Sequence, residues 1–296
     1  MTMQQFMQQD GSDRLIAFGF GYSAQALAKR LSQRGWTCFG TVRTAEKAAA
    51  LNEGHARATV FGPDDLFPIP EGSHWLISAP PGEEGCPIFN RFKAETGKAA
   101  TITYLSTTGV YGDLQGGWAF EWTQAAPRSE RAKRRVLAEQ QWQSTGRPFR
   151  TVRLPGIYGP GRSPFKRLRA GTARAIIKPG QVFSRIHVDD IASGLEAMML
   201  RPDRLGVFHL CDDRPAPPHE VTAYAAHLLG LPAPEPVAFE AAELSAMAKS
   251  FYAECKRVSN ARAKSALGWL PVYKDYKTGL KQVYQAEQQD IAAKDQ

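Results

Sequence analysis

Residues Arg14 to Ala24 read RLIAFGFGYSA, and this stretch decides the fold. Arg14–Phe20 is an apolar run closed by glycines, the pattern of a buried strand. Gly19, Gly21 and Ala24 stand in a G-x-G-x-x-A spacing. There the first glycine permits a tight turn and the second lets the backbone approach a pyrophosphate. The small third residue lets a helix pack closely on the strand. The N-terminus of that helix offers free N–H groups and the positive end of its dipole to phosphates. The motif gains weight from its place, directly after the first strand and at the opening of the first helix. Gly19, Phe20, Gly21, Tyr22, Ser23 and Ala24 are the predicted phosphate loop.

Outward from the loop, the chain alternates. Ala24–Arg34 places Leu27 and Leu31 four apart, gathers cations in its last turns and is followed by Gly35, so a helix is predicted. Trp36–Val42 is a strand, Thr44–Glu53 a helix, and Ala58–Phe61 and His74–Ala79 are strands. Thr101–Thr107 is a strand, Ser129–Ser144 a helix and Phe149–Leu154 a strand again. Strands alternating with helices imply a parallel sheet covered on both faces. The predicted fold is α/β: a Rossmann-type doubly wound parallel sheet with a smaller C-terminal substrate-binding lobe. Residues 1–13 read as a disordered leader and 14–160 as the dinucleotide-binding domain. Residues 161–284 are mainly the substrate lobe, with 185–212 returning to the sheet. Residues 285–296 are a polar tail, with fraying predicted after Gln282.

The composition sets bounds. With 296 residues, 43% hydrophobic and 22% charged, the chain can bury a core without metals or disulfides. Cys38, Cys86, Cys211 and Cys255 form no CxxC pair, which fits a reducing compartment and gives no metal site. No apolar run is long enough to span a bilayer, and the start has neither a basic n-region nor an apolar h-region. A cytoplasmic protein with no membrane partner is expected. The net charge of +8 is concentrated: Arg128 to His187 holds fifteen Lys or Arg against Glu130 and Glu139. Such a surface points to an anionic partner. Nucleic acid is disfavoured, because no recognition motif accompanies the charge.

The end of the second strand selects the dinucleotide. An NAD site places an acid there for the ribose hydroxyls. Here the residues are Arg43 and Thr44, with no acid before Glu46. An arginine attracts a 2′-phosphate that a carboxylate would repel, so NADP(H) is preferred and NAD(H) is second.

Five segments together resemble an extended short-chain dehydrogenase/reductase of the NAD-dependent epimerase/dehydratase type. They are GFGYSA, STTGVYGD (Ser106–Asp113), RLPGIYGPGR (Arg153–Arg162), RIHVDDIASGL (Arg185–Leu195) and VSNARAKSALGWLP (Val258–Pro271). The resemblance implies that Ser106, Pro155 and Gly156 lie beside the cofactor, with Ala79 and Pro80 as its neighbours. It implies Thr107 as the catalytic Ser/Thr, with Thr108 next to the substrate. The family's Tyr-x-x-x-Lys pair aligns with Arg131 and Arg135, so the chain resembles the atypical branch that lacks that pair. Arginine stays protonated, so Arg131 is a poor general acid but a good holder of an oxyanion or carboxylate. Arg135 keeps the charge of the family's Lys. Lys133 points about 200° away from Arg131 on an ideal helix and does not replace it. Tyr111 is the candidate proton donor, and Tyr158 is a second.

A basic run, Gly161–Gly180, strengthens the case for a small anionic substrate, with Arg162 and Arg185 placed nearest to it. Asp189 and Asp190 read as helix N-terminal residues stabilised by the dipole, and His187 as structural. In the resembled family the helix of Arg131 commonly lines a dimer interface, which makes a homodimer an expectation. Three functions stay open at this stage: an NADP-dependent oxidoreductase or epimerase-like enzyme on a small anionic substrate, a non-catalytic NADP(H)-binding sensor or scaffold, and a nucleic-acid binder.

Overall fold

In the computed structural model, which describes residues 13–52, 57–62 and 67–294, the apolar runs become strands buried on both faces. The leader expected over 1–13 lies outside the described residues except for Asp13, and so does Glu53. Seven strands form the central sheet: β1 (Arg14–Phe18), β2 (Thr37–Val42), β3 (Arg57–Val60), β4 (Ser73–Ile77), β5 (Ala99–Thr107), β7 (Phe149–Leu154) and β11 (Gly206–His209). Their order is β11-β7-β5-β4-β1-β2-β3, and every pairing is parallel. The chain runs outward from β1 to β3, then returns to β4 and runs the other way. The reversal opens a crevice between the C-terminal ends of β1 and β4, the place where such sheets bind ligands.

Helices cover both faces. On one, α1 (Tyr22–Ser32) packs with α6 (Val188–Met199) through Leu27, Leu31, Ile191, Leu195 and Met198. On the other, α3 (Pro87–Phe92) and α4 (Glu130–Gln143) enclose Phe18, Trp75, Phe92 and Trp142. Helix α2 (Ala45–Asn52) follows β2 and buries Ala48 in the first of these clusters. The predicted doubly wound α/β architecture is the one observed.

The smaller lobe is built from short pieces. Strand β8 (Gly156–Tyr158) pairs with β10 (Arg185–His187), β9 (Ala175–Ile177) with β12 (Pro236–Ala238), and β6 (Trp118–Ala119) with β13 (Arg257–Val258). Around them stand α5 (Phe165–Arg169), α7 (Pro218–Leu228), α8 (Ala246–Tyr252), α9 (Ala261–Leu267) and α10 (Tyr276–Lys294). Phe165, Val221, Tyr276, Leu280 and Val283 form this lobe's own core. The end expected to fray after Gln282 is helical as far as Lys294, because Tyr276, Leu280 and Val283 anchor α10 in that core. Among the described residues, no helix is long and apolar enough to cross a membrane.

Candidate cofactor and substrate cleft

The crevice begins at Gly19, whose φ of +90° favours glycine. A Cβ there would stand 2.7 Å from the Ala79 nitrogen, at the end of β4. The N–H of Gly19 donates to Thr41 Oγ1 (3.0 Å), and the N–H of Phe20 donates to the Thr41 carbonyl (2.8 Å). Gly21 is the N-cap of α1 and supplies no side-chain acceptor, so the first-turn N–H groups of the helix have no side-chain cap. Ser23 and Ala24 are buried against the strand. Across the crevice the N–H groups of Ser78 and Ala79 both donate to the Phe18 carbonyl, which seats Ala79 and Pro80 beside the loop. Two positioning residues escaped the sequence reading. Thr41 is one. Gly40 is the other: a Cβ there would overlap the Phe20 ring. A glycine inside an apolar strand was the available signal, since it marks close approach of another group.

Arg43 follows β2 and is exposed, with no ion pair among the described residues. Thr44 Oγ1 accepts the N–H of Lys47 (3.3 Å) and so caps α2.

Strand β5 ends beside β7, with Thr107 level with Leu154. The segments STTGVYGD and RLPGIYGPGR therefore meet at the C-terminal ends of β5 and β7, and Pro155 and Gly156 follow directly. Thr107 is half-buried, and its Oγ1 accepts the N–H of Gly109 (3.1 Å). Thr108 is buried one residue on. Ser106 is buried too, and its hydroxyl donates to Glu139 Oε1 (2.5 Å) rather than facing the crevice.

Tyr111, the expected proton donor, has its hydroxyl engaged with His209. It is 0% exposed, inside a buried chain of hydrogen bonds. Arg153 binds Glu139 through two nitrogens (3.1 and 2.6 Å) and donates from a third to the Tyr111 oxygen (2.8 Å). His209 Nδ1 lies 2.9 Å from the Ser259 carbonyl, which can only accept, so that nitrogen carries the proton. Nε2 of His209 then accepts the Tyr111 hydroxyl at 2.5 Å. Burial pushes the Tyr111 phenol up to about 12, against the pull of Arg153, and holds His209 down at about 4. Tyr158 is no better placed. It is buried, burial raises its pKa, and its hydroxyl reaches the Asp275 carbonyl (3.5 Å).

The cations of α4 separate by face. Arg135 donates to the Leu105 carbonyl (2.8 Å) and the Tyr104 hydroxyl (3.1 Å), so it is tied to β5. Arg131 is exposed and reaches across to α8, donating to Ser250 Oγ (3.3 Å) and lying 5.5 Å from the centre of the Phe251 ring. Lys133 pairs with Glu130, and Arg134 with Glu83.

Much of the basic segment is engaged inside the protein. Arg150 is fully buried and donates to the Arg204 and Arg201 carbonyls. Arg169 pairs with Glu287, Arg174 donates to the Glu243 carbonyl, and Lys178 to the Tyr252 carbonyl. Arg185, expected at the substrate, donates instead to the Phe183 and Ala216 carbonyls (2.8 and 2.9 Å), which orients its guanidinium into the lobe. Arg162 is exposed and lies over the Tyr22 ring, beside the phosphate loop. His187 is buried, and its Nδ1 accepts the N–H of Asp189, as a structural histidine does. Asp190 accepts the N–H groups of Val272 and Tyr273, fastening α6 to the C-terminal segment. Among the described residues there is no group of His, Cys, Asp and Glu side chains that could hold a metal ion.

Comparisons with known proteins place this arrangement. No family model matches the chain. Over 246 residues it is 28% identical to Protein YeeZ of Escherichia coli K12, covering 75% of this chain and 86% of that protein. Over 137 residues it is 31% identical to a 3-diazoavenalumate denitrifying reductase of Streptomyces, covering 44% of this chain and 45% of the reductase. The fold matches a solved structure of a functionally unknown conserved protein from Silicibacter pomeroyi, with a TM-score of 0.88 and 45% identity, over 93% of this chain and 99% of that one. It also matches the human epimerase family protein SDR39U1 solved with NADPH (TM-score 0.72, 14% identity, 92% of this chain and 99% of that one). A dTDP-glucose 4,6-dehydratase from Bacillus anthracis in complex with NAD gives a TM-score of 0.72 at 15% identity, over 93% of this chain and 96% of that one. The chain belongs to the family of the Silicibacter protein, and its fold is that of the epimerases and dehydratases.

Proposed function

We propose that the chain is an NADP-dependent oxidoreductase that acts on a small anionic substrate. One observation carries the dinucleotide site: the Gly19 turn and the uncapped start of α1 face the crevice where a side chain at Gly19 would strike the Ala79 backbone. These residues fit a dinucleotide. The first-turn N–H groups of α1 would hold its pyrophosphate. Arg43, exposed and without an ion pair among the described residues, would take a 2′-phosphate. The neighbours solved with NADPH and with NAD, and the partial match to a reductase, support this reading.

The bound cofactor would supply or accept a hydride. Thr107, at the shared edge of β5 and β7, would orient a substrate oxygen. Arg131, between α4 and α8, would hold an anionic group. Arg135 keeps a positive charge at the end of β5. Arginine is a poor general acid, and the Tyr111 hydroxyl is engaged with His209, so the proton would come from another side chain or from water. That same locking of Tyr111 favours the second reading, a protein that binds NADP(H) without turnover.

Calorimetric titration separates these cases. NADPH is expected to bind more tightly than NADH. Arg43→Ala should weaken NADPH roughly 10–100-fold and leave NADH unchanged, as loss of a charge-assisted bond to phosphate predicts. Equal binding of the two by the native protein would overturn the NADP assignment. NADPH consumption with anionic carbonyl compounds, lost in Thr107→Val and Arg131→Ala, would establish the enzyme. Tight binding without turnover across such a panel would leave the binding protein.

A further inference from the structure

The phosphate loop touches the opposite lobe through Tyr22. Tyr22, the first residue of α1, donates its hydroxyl to the Pro160 carbonyl (2.9 Å). Beside it Gly159 has a φ of +151°, and a Cβ there would overlap the Tyr22 hydroxyl. The backbone of the lobe is therefore pressed against the loop. Gly159 and Arg162 exchange two backbone hydrogen bonds (3.2 and 2.9 Å), which close the turn. That turn presents Arg162 with its guanidinium carbon 5.3 Å from the centre of the Tyr22 ring. Arg162 is exposed and has no carboxylate partner among the described residues, unlike Arg169 on the helix that follows.

We propose that Arg162 is a ligand of the dinucleotide's phosphates, delivered from the C-terminal lobe on a Tyr22 platform, and that it is not a substrate contact. The proposal rests on the crevice being the dinucleotide site. The main-chain N–H of Tyr22 belongs to the turn of helix that would bind pyrophosphate, so a cation stacked on its ring stands next to that anion. A planar guanidinium suits phosphate oxygens, and stacking limits the freedom it has to lose on binding. Arg162 and Asp189, at the start of α6, act in opposite directions on the Tyr22 phenol, so the charge of Arg162 is felt beside the loop. The division of labour is then clear: Arg43 distinguishes NADPH from NADH, whereas Arg162 acts on the pyrophosphate both share.

The test is titration of the native protein, Arg162→Ala, Arg162→Lys and Tyr22→Phe with NADPH, NADH and ADP. Arg162→Ala should weaken all three by a common factor of about 10 or more, as for a lost charged hydrogen bond. Arg162→Lys should recover part of this. Tyr22→Phe, which keeps the ring and loses the Pro160 anchor, should weaken all three by a smaller common factor. Unchanged binding of all three in Arg162→Ala, or an effect confined to NADPH, would overturn the proposal. So would unchanged nucleotide binding together with lost binding of inorganic phosphate, which would return Arg162 to the substrate. If the native protein binds none of the three nucleotides, the dinucleotide reading itself fails, before any variant is compared.

Discussion

Gly19 is the position where one added carbon should do most harm. Its φ of +90° disfavours any L side chain, and the Cβ would meet backbone, the Ala79 nitrogen at 2.7 Å, rather than a side chain able to swing aside. Gly19→Ala is therefore expected to cost about 1–3 kcal/mol of stability from backbone strain and to abolish NADPH binding by displacing the β4 end. Thermal unfolding and calorimetry check this, and an unchanged melting temperature with full binding would refute it. Gly19, Gly21 and Ala24 were legible in the sequence because their geometry is local: spacing alone sets the turn. Tyr111 was not. Its partners Arg153 and His209 lie 42 and 98 residues away, so the neighbouring VYG pattern could not reveal that the hydroxyl is already engaged. The hold on Arg185 was hidden in the same way, as the Ala216 carbonyl that accepts from it lies 31 residues on.

At the scale of an element, α4 shows why a charged helix is more than a wet surface. Its start was readable: Ser129 accepts the N–H of Ala132, and the expected span of 129–144 differs from the observed Glu130–Gln143 only at its ends. What its charges bind was not readable. Arg134 reaches the loop after β4, Arg135 reaches β5, Arg131 reaches α8, and Glu139 reaches Arg153 of β7. The last pair matters most for stability, because both side chains are only 9% exposed. Removing one charge leaves the other buried and uncompensated. Glu139→Gln is expected to destabilise by roughly 3–5 kcal/mol, whereas Glu139→Gln with Arg153→Met should recover much of that loss. Urea unfolding of the single and double variants decides it. A single variant within about 1 kcal/mol of the native protein would show that the buried pair is worth no more than a surface pair.

Across the whole molecule, the alternation of strands and helices revealed the sheet, because parallel pairing repeats one pattern. The lobe was less legible, since β9 and β12 are three residues each and pair only through tertiary contact. The junction of sheet and lobe holds Asp212, three residues past the end of β11. Its N–H donates to the Arg185 carbonyl, its Oδ1 accepts the Arg214 N–H, and its buried Oδ2 has no hydrogen-bond partner. Burial pushes its carboxyl up to about 8 from 3.8, more than the Arg185 charge pulls it down. The folded protein therefore holds this proton more firmly than the unfolded chain does. Its contribution to stability is fully present below pH 3.8 and declines as pH rises, until the loss is complete above about pH 8. His74 and His209, held down at about 4 by burial, act oppositely and lose stability as pH falls from 6.5 to about 4. The native protein's profile mixes these trends, so the informative quantity is a difference. Asp212→Asn should gain stability relative to the native protein as pH rises from about 4 to about 8, with little further change above that. Denaturant unfolding of both proteins across this range measures it. A pH-independent difference would mean that Asp212 is ionised in the folded state throughout, with the Arg185 charge outweighing the cost of burial.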